Sequence, residues 1–184
     1  MNKLAQKYKK DLRIQLKKEL GLSNIMAVPQ VEKVVLNIGL GKSLVDKQWV
    51  DLANSILERI SGQKPVNTKA RKAISNFKIR EGMVVGSKVT LRGNRMYDFL
   101  ERFVNITLPR LRDFYGLDPK KGFDKNGNYT MGFKEHIIFP EIGMDDIEKT
   151  HGLEVTVVSS AKNKEQALAL LKTLGFPFKK EDKK

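Results

Sequence analysis

The feature that most constrains this chain is a pair of short segments whose side chains alternate in character. In Val31-Glu32-Lys33-Val34-Val35-Leu36-Asn37-Ile38-Gly39, Val34, Leu36 and Ile38 fall on one face, and Lys33, Val35 and Asn37 on the other. The same period of two returns from Val84 to Arg92, where Ser87, Val89 and Leu91 oppose Lys88, Thr90 and Arg92 before Gly93 ends the run. Successive strand side chains point to opposite faces, so each segment reads as a strand with one apolar and one polar face. Strands of this kind suit an antiparallel sheet covered on one side, since parallel sheets bury both faces.

Segments with a helical period supply the cover. Leu4, Tyr8, Leu12, Leu16 and Leu20 recur every four residues with lysines between them, and Gly21 follows as a stop, which predicts a basic amphipathic helix over 2–20. Trp49, Leu52, Ile56, Leu57 and Ile60 predict a helix over 47–60 ended by Ser61-Gly62. Met96, Phe99, Leu100, Phe103 and Ile106 predict a third, bent or closed by Pro109, and a last one runs from Lys164 to Leu174 before Gly175. Residues 64–82 read as an exposed strand and a basic loop. The Gly-rich stretch 116–134 reads as a long exposed loop or hairpin, with Asp124-Lys125-Asn126-Gly127 as its turn. His136-Ile137-Ile138-Phe139 and Leu153 to Val158 read as further strands. The expected fold is α+β: an antiparallel sheet with helices packed on one face and an open face carrying Lys33, Asn37, Lys88, Thr90 and Arg92. We expect one domain over residues 1–179, and a mobile lysine-rich tail at 180–184.

Charge says what the open face would meet. The 184 residues carry 35 Lys and Arg against 21 Asp and Glu, a net +14 that attracts polyanions. Residues 1–110 hold 22 basic against 9 acidic side chains, net +13, whereas 111–184 hold 13 against 12, net +1. Within 61–95 nine basic residues face the single acid Glu81. An excess this localised is the footprint of a nucleic-acid partner rather than of a uniformly solvated surface. A membrane is a poorer partner, because the sequence has no apolar run of about 18 residues and no secretory leader, which makes the cytosol the expected compartment. With no cysteine and only His136 and His151, a structural zinc site and a disulfide framework are both excluded, and no cofactor is expected.

Two segments imitate catalytic chemistry. Gly39-Leu40-Gly41-Lys42-Ser43 follows a strand and ends like a phosphate-binding loop. That loop needs a glycine five residues before its Gly-Lys pair, and the position is Leu36, inside the strand. A Gly-rich turn, or a backbone nest near an RNA phosphate, fits better. Asp145-Asp146 opens a short Asp-Asp-Ile-Glu-Lys segment and suits a helix N-terminus better than a pair of acid-base carboxylates. Neither histidine has an evident nucleophile or acid partner. The chain therefore reads as a binding protein, with a non-specific RNA chaperone and a nucleotide-dependent enzyme as the rival classes. The basic stretch has the composition RNA contact requires: Lys and Arg for phosphates, Asn, Gln, Ser and Thr for sugars and base edges, and Phe77 as a stacking or packing ring.

The segment Leu57-Glu-Arg-Ile60-Ser61-Gly62-Gln63-Lys64-Pro65-Val66-Asn67-Thr68-Lys69-Ala70-Arg71-Lys72-Ala73 resembles the signature of the fifth large-subunit ribosomal protein family in its bacterial form. The resemblance extends through Lys33 to Gly41, Arg80 to Gly93 and Gly132 to Pro140, and so over nearly the whole chain. It implies a structural protein of the large ribosomal subunit, located on the cytoplasmic ribosome. Such a protein binds 5S rRNA and helps dock it on the large-subunit rRNA in the central protuberance. It further implies contact with P-site tRNA through the loop at 74–82, including Asn76, Phe77, Lys78 and Arg80. A bridge to a small-subunit head protein, and contacts with neighbouring large-subunit proteins, are also implied. The family's RNA-facing positions fall here on Lys33, Asn37, Gln63, Lys88, Thr90 and Arg92, and the signature adds Lys69 and Arg71. Alternation alone had already set five of the first six outward.

Overall fold

A computed structural model of the chain describes residues 3–41, 48–112, 114–119, 121–143 and 150–179. The chain begins with a helical run in three pieces: α1 (Lys3–Lys7), a π-helical turn (Tyr8–Leu12) and α2 (Arg13–Glu19). The interruption follows from the sequence. Four residues advance an α-helix by about 400°, so apolar positions spaced strictly by four drift off one face by about 40° per step. The wider π turn rotates less per residue, and Tyr8, Leu12 and Leu16 stay buried in spite of that spacing.

Strand β1 (Val31–Gly39) comes next, then α3 (Gln48–Ser61), β2 (Val66–Lys69), β3 (Val84–Leu91) and α4 (Gly93–Arg102). β4 (Tyr129–Phe133), β5 (Leu153–Ser159) and α5 (Lys164–Thr173) complete the order. The five strands form one antiparallel sheet in the order β2-β3-β1-β5-β4, so the fold class is the α+β one expected. Between β2 and β3 the register sets Val66 opposite Lys88, Asn67 opposite Ser87 and Thr68 opposite Gly86, then slips so that Lys69 meets Val84. Among the described residues no helix is long and apolar enough to cross a membrane.

By its internal contacts the chain divides into two compact units, and strands β1, β4 and β5 each run through both. One comprises Met1–Val34, Arg92–Met131 and Thr156–Lys184. Its core holds Tyr8, Leu12, Leu16, Met96, Phe99, Leu100, Phe103, Leu170 and Phe176. The Phe99 and Phe103 rings stack at 5.5 Å between centroids, and α1 packs on α4 while α2 packs on α5. The other unit comprises Val35–Leu91 and Gly132–Val155. Here Leu36 and Ile38 of β1, Val89 and Leu91 of β3, and Ala53, Ile56, Leu57 and Ile60 of α3 are all buried. Ser87 Oγ donates to Asn54 Oδ1 at 2.6 Å, which ties the buried face of β3 to α3.

Two local expectations change. His136-Ile137-Ile138 is a 3-10 turn and not a strand, because His136 turns inward and stacks on His151 with ring centroids 4.2 Å apart. The stretch 116–134 is not wholly exposed, since it contains β4, whose Tyr129 and Met131 are buried. The expected turn does precede that strand: Asp124 accepts from the backbone N–H groups of Asn126 (2.9 Å) and Asn128 (2.7 Å). Helix α4 starts at Gly93, three residues before the apolar period begins, because a glycine with φ +58° lets the chain leave β3 directly into a helix. The tail at 180–184 lies outside the described residues.

Candidate nucleic-acid interface

Strand β1 realises the alternation of its sequence. Val34, Leu36 and Ile38 are buried, whereas Lys33, Val35 and Asn37 are half-buried on the other side. β3 does the same: Ser87, Val89 and Leu91 are buried, Lys88 is exposed and Thr90 half-exposed, and Arg92 stands exposed just past the strand. β3 and β1 are neighbours in the sheet, and Leu40 N–H donates to the Val85 carbonyl at 2.9 Å where they meet. Asn37, Lys88 and Thr90 belong to the unit built on Val35–Leu91, whereas Lys33 and Arg92 fall in the other unit.

Gln63 reaches this face through the end of α3. Gly62 closes the helix at φ +66° and its N–H donates to the Glu58 carbonyl at 2.8 Å, as a left-handed helix end requires. Ser61 Oγ donates to the Leu57 carbonyl and accepts from the Gln63 N–H at 3.2 Å, which steadies the turn. Gln63 Nε2 then donates to the Thr90 carbonyl at 3.4 Å, so the helix end and β3 carry two of the expected polar residues side by side. Asn37 is held from the opposite direction: its Nδ2 donates to Glu154 Oε2 on β5 at 3.1 Å. Sequence reasoning did not single out Glu154. Its partner lies 117 residues away, and no local pattern carries that pairing.

Lys69 ends β2 and Arg71 follows it, both exposed. Beyond them the chain forms a narrow loop whose stem is closed by Ala70 N–H to the Met83 carbonyl (2.8 Å) and Gly82 N–H to the Ala70 carbonyl (3.0 Å). Ile74 and Ile79 exchange backbone bonds of 2.9 and 3.1 Å nearer the tip. The tip is a 3-10 turn, Ser75–Phe77, followed by Lys78 in the left-handed region at φ 54°. Asn76, Phe77, Lys78 and Arg80 are all exposed there, and Phe77 has 65% of its surface open to solvent.

Among the described residues, Lys33, Lys69, Arg71, Lys88 and Arg92 make no ion pair with a carboxylate; Lys69, Arg71, Lys88 and Arg92 are exposed and Lys33 is half-buried. A polyanion would neutralise these cations at once, with release of its own counterions.

The decoys resolve otherwise. Gly39 to Gly41 leads out of β1, while Lys42 and Ser43 lie outside the described residues, as do Asp145 and Asp146. His136 and His151 are core residues, 0% and 8% exposed, and among the described residues no group of three or more metal-ligating side chains assembles.

A family model described as Ribosomal protein L5 matches residues 24–80, and a second model, described as the C-terminus of that ribosomal family, matches residues 84–178. The large ribosomal subunit protein uL5 of Halothermothrix orenii is 52% identical over 178 residues, covering 97% of this chain and 99% of that protein. Its counterpart in Colwellia psychrerythraea is 51% identical over 181 residues, covering 98% and 99%. That of Syntrophomonas wolfei is 53% identical over 179 residues, covering 97% and 100%.

Proposed function

The chain belongs to the L5 family of ribosomal proteins, and from that premise we propose that it binds 5S rRNA and helps anchor it to the large-subunit rRNA in the central protuberance. As a family member it is a structural constituent of the large ribosomal subunit, works on the ribosome in the cytoplasm, and is not an enzyme. The observation that carries the finer reading is the set of cations without an ion-pair partner among the described residues, Lys33, Lys69, Arg71, Lys88 and Arg92, together with the amides of Asn37 and Gln63 and the hydroxyl of Thr90. The cations neutralise phosphates and position the RNA, while the amides and the hydroxyl meet ribose or base edges.

The loop at 74–82 contacts P-site tRNA in this reading. What supports it is an exposed aromatic ring, Phe77, flanked by Asn76, Lys78 and Arg80 on a stem closed by backbone hydrogen bonds, since exposed aromatics stack on nucleotides and the cations meet the backbone. The region from 111 onward, net +1, supplies the bridge to a small-subunit head protein and contacts to neighbouring large-subunit proteins, because protein interfaces need little net charge. Hydroxyl-radical footprinting of 5S rRNA with the full chain tests the central part. One bounded protected region that shrinks when Lys88 and Arg92 are both changed to alanine is the expected outcome; diffuse protection unaffected by those changes would overturn it.

A further inference from the structure

The hydrogen bond from Asn37 Nδ2 to Glu154 Oε2 has a chemical consequence for whatever meets Asn37. A carboxylate only accepts, so the nitrogen branch of the Asn37 amide must be the one turned toward β5. The chemistry of the partner sets this orientation. Among the described residues Asn37 Oδ1 accepts no hydrogen bond. Gln63 repeats the arrangement more weakly. Its Nε2 is turned to the Thr90 carbonyl, another group that only accepts, and its Oε1 accepts no hydrogen bond among the described residues.

We propose that Glu154 is a positioning residue that fixes the Asn37 amide so that its carbonyl oxygen reads a hydrogen-bond donor of the RNA, a ribose 2′-hydroxyl or a base N–H, and not a phosphate. The inference rests on the RNA-binding reading of this face. A phosphate oxygen brought to the same place would find an acceptor it cannot pair with, beside a second negative charge. Glu154 therefore lowers affinity for polyanions in general and raises selectivity for RNA whose donors arrive in register. A carboxylate held on a face that binds a polyanion has no role in charge neutralisation, and selectivity gives it one.

The test uses the full chain in four forms: unaltered, Glu154→Gln, Asn37→Ala and the double variant. Affinity is measured for 5S rRNA and for an unrelated structured RNA of similar length. Glutamine keeps the size of the side chain but can donate or accept, so the Asn37 amide is free to flip. Glu154→Gln should reduce the preference for 5S rRNA about tenfold, the size of one specific polar contact, while the unrelated RNA binds more tightly. Asn37→Ala should reduce the preference as much, and the double variant no further, because the two residues act as one device. In the RNA-free protein, the side-chain amide resonances of Asn37 should shift in Glu154→Gln, which reads the orientation directly. A preference unchanged by Glu154→Gln, a further drop in the double variant, or unmoved amide resonances would each overturn the proposal. An unaltered chain with no preference for 5S rRNA would sink the RNA-binding reading together with it, whereas a preference that survives Glu154→Gln sinks the positioning role alone.

Discussion

At Gly86 the sheet has no room for a side chain. A Cβ placed there would lie 2.7 Å from Thr68 Oγ1 and 2.9 Å from the Ile38 carbonyl oxygen, and the second of these is backbone that cannot swing aside. Gly86→Ala should therefore destabilise the protein by about 1–3 kcal/mol, the usual cost of overpacking. Thermal unfolding reads this directly, and an unchanged Tm would contradict the seating of β2 and β1 on either side of β3. The proposed RNA-facing residues should separate by chemistry. Lys33→Ala should lower the slope of log affinity for 5S rRNA against log salt by roughly 0.7 to 0.9, the amount expected for one phosphate left unneutralised, whereas Asn37→Ala should weaken binding with the slope unchanged. Equal slopes would contradict the division between residues that meet phosphates and residues that meet donors. The outward placement of Lys33, Asn37, Lys88 and Thr90 was legible from the period of two, because a strand can present alternate residues in only one way. The engagement of Asn37 by Glu154 was not, since it depends on which strands become neighbours.

Among elements, the first helical run is tied to the strand it precedes. Tyr8, in the π turn, donates its hydroxyl to the Pro29 carbonyl at 2.7 Å, just ahead of β1. Burial first, and the neighbouring Tyr97 second, push the Tyr8 phenol up from 10.0 to about 12, with Arg13 pulling the other way. The fold thus favours the neutral phenol. Its contribution to stability is complete below about pH 10 and is lost as the pH rises through the folded value near 12. Tyr8→Phe should cost about 0.5–1.5 kcal/mol at neutral pH, because the hydrogen bond to Pro29 disappears. It should also flatten the stability profile between pH 10 and 12, as urea titrations at several pH values would show; an unchanged profile would contradict the burial of this phenol. The loop at 74–82 should behave oppositely. Phe77→Ala should change stability by no more than about 0.5 kcal/mol, since 65% of the residue is already open to solvent, yet weaken the footprint on P-site tRNA in reconstituted ribosomes. A large drop in Tm with no change in the footprint would make Phe77 a packing residue. The long helices and β1 were legible because each repeats its period several times. His136 to Phe139 was misread as a strand because four residues carry almost no period, and what decides them is the stacking of His136 on His151, fifteen residues on.

At the scale of the whole molecule, charge and family point the same way. Nearly all of the net +14 lies in residues 1–110, which also supply every proposed RNA contact. The α+β class was legible because two-faced strands and one-faced helices leave few other arrangements. The strand order β2-β3-β1-β5-β4 was not, because it joins segments more than a hundred residues apart that no local signal pairs. The central claim is that these basic residues serve the recognition of one particular RNA and do not merely attract polyanions. A gel-shift competition tests it most directly, with the full chain on labelled 5S rRNA at about physiological salt and an unrelated structured RNA of similar length as competitor. The complex should survive a large excess of the unrelated RNA and yield to unlabelled 5S rRNA. Equal displacement by both would contradict specific recognition and leave a basic protein that binds any RNA.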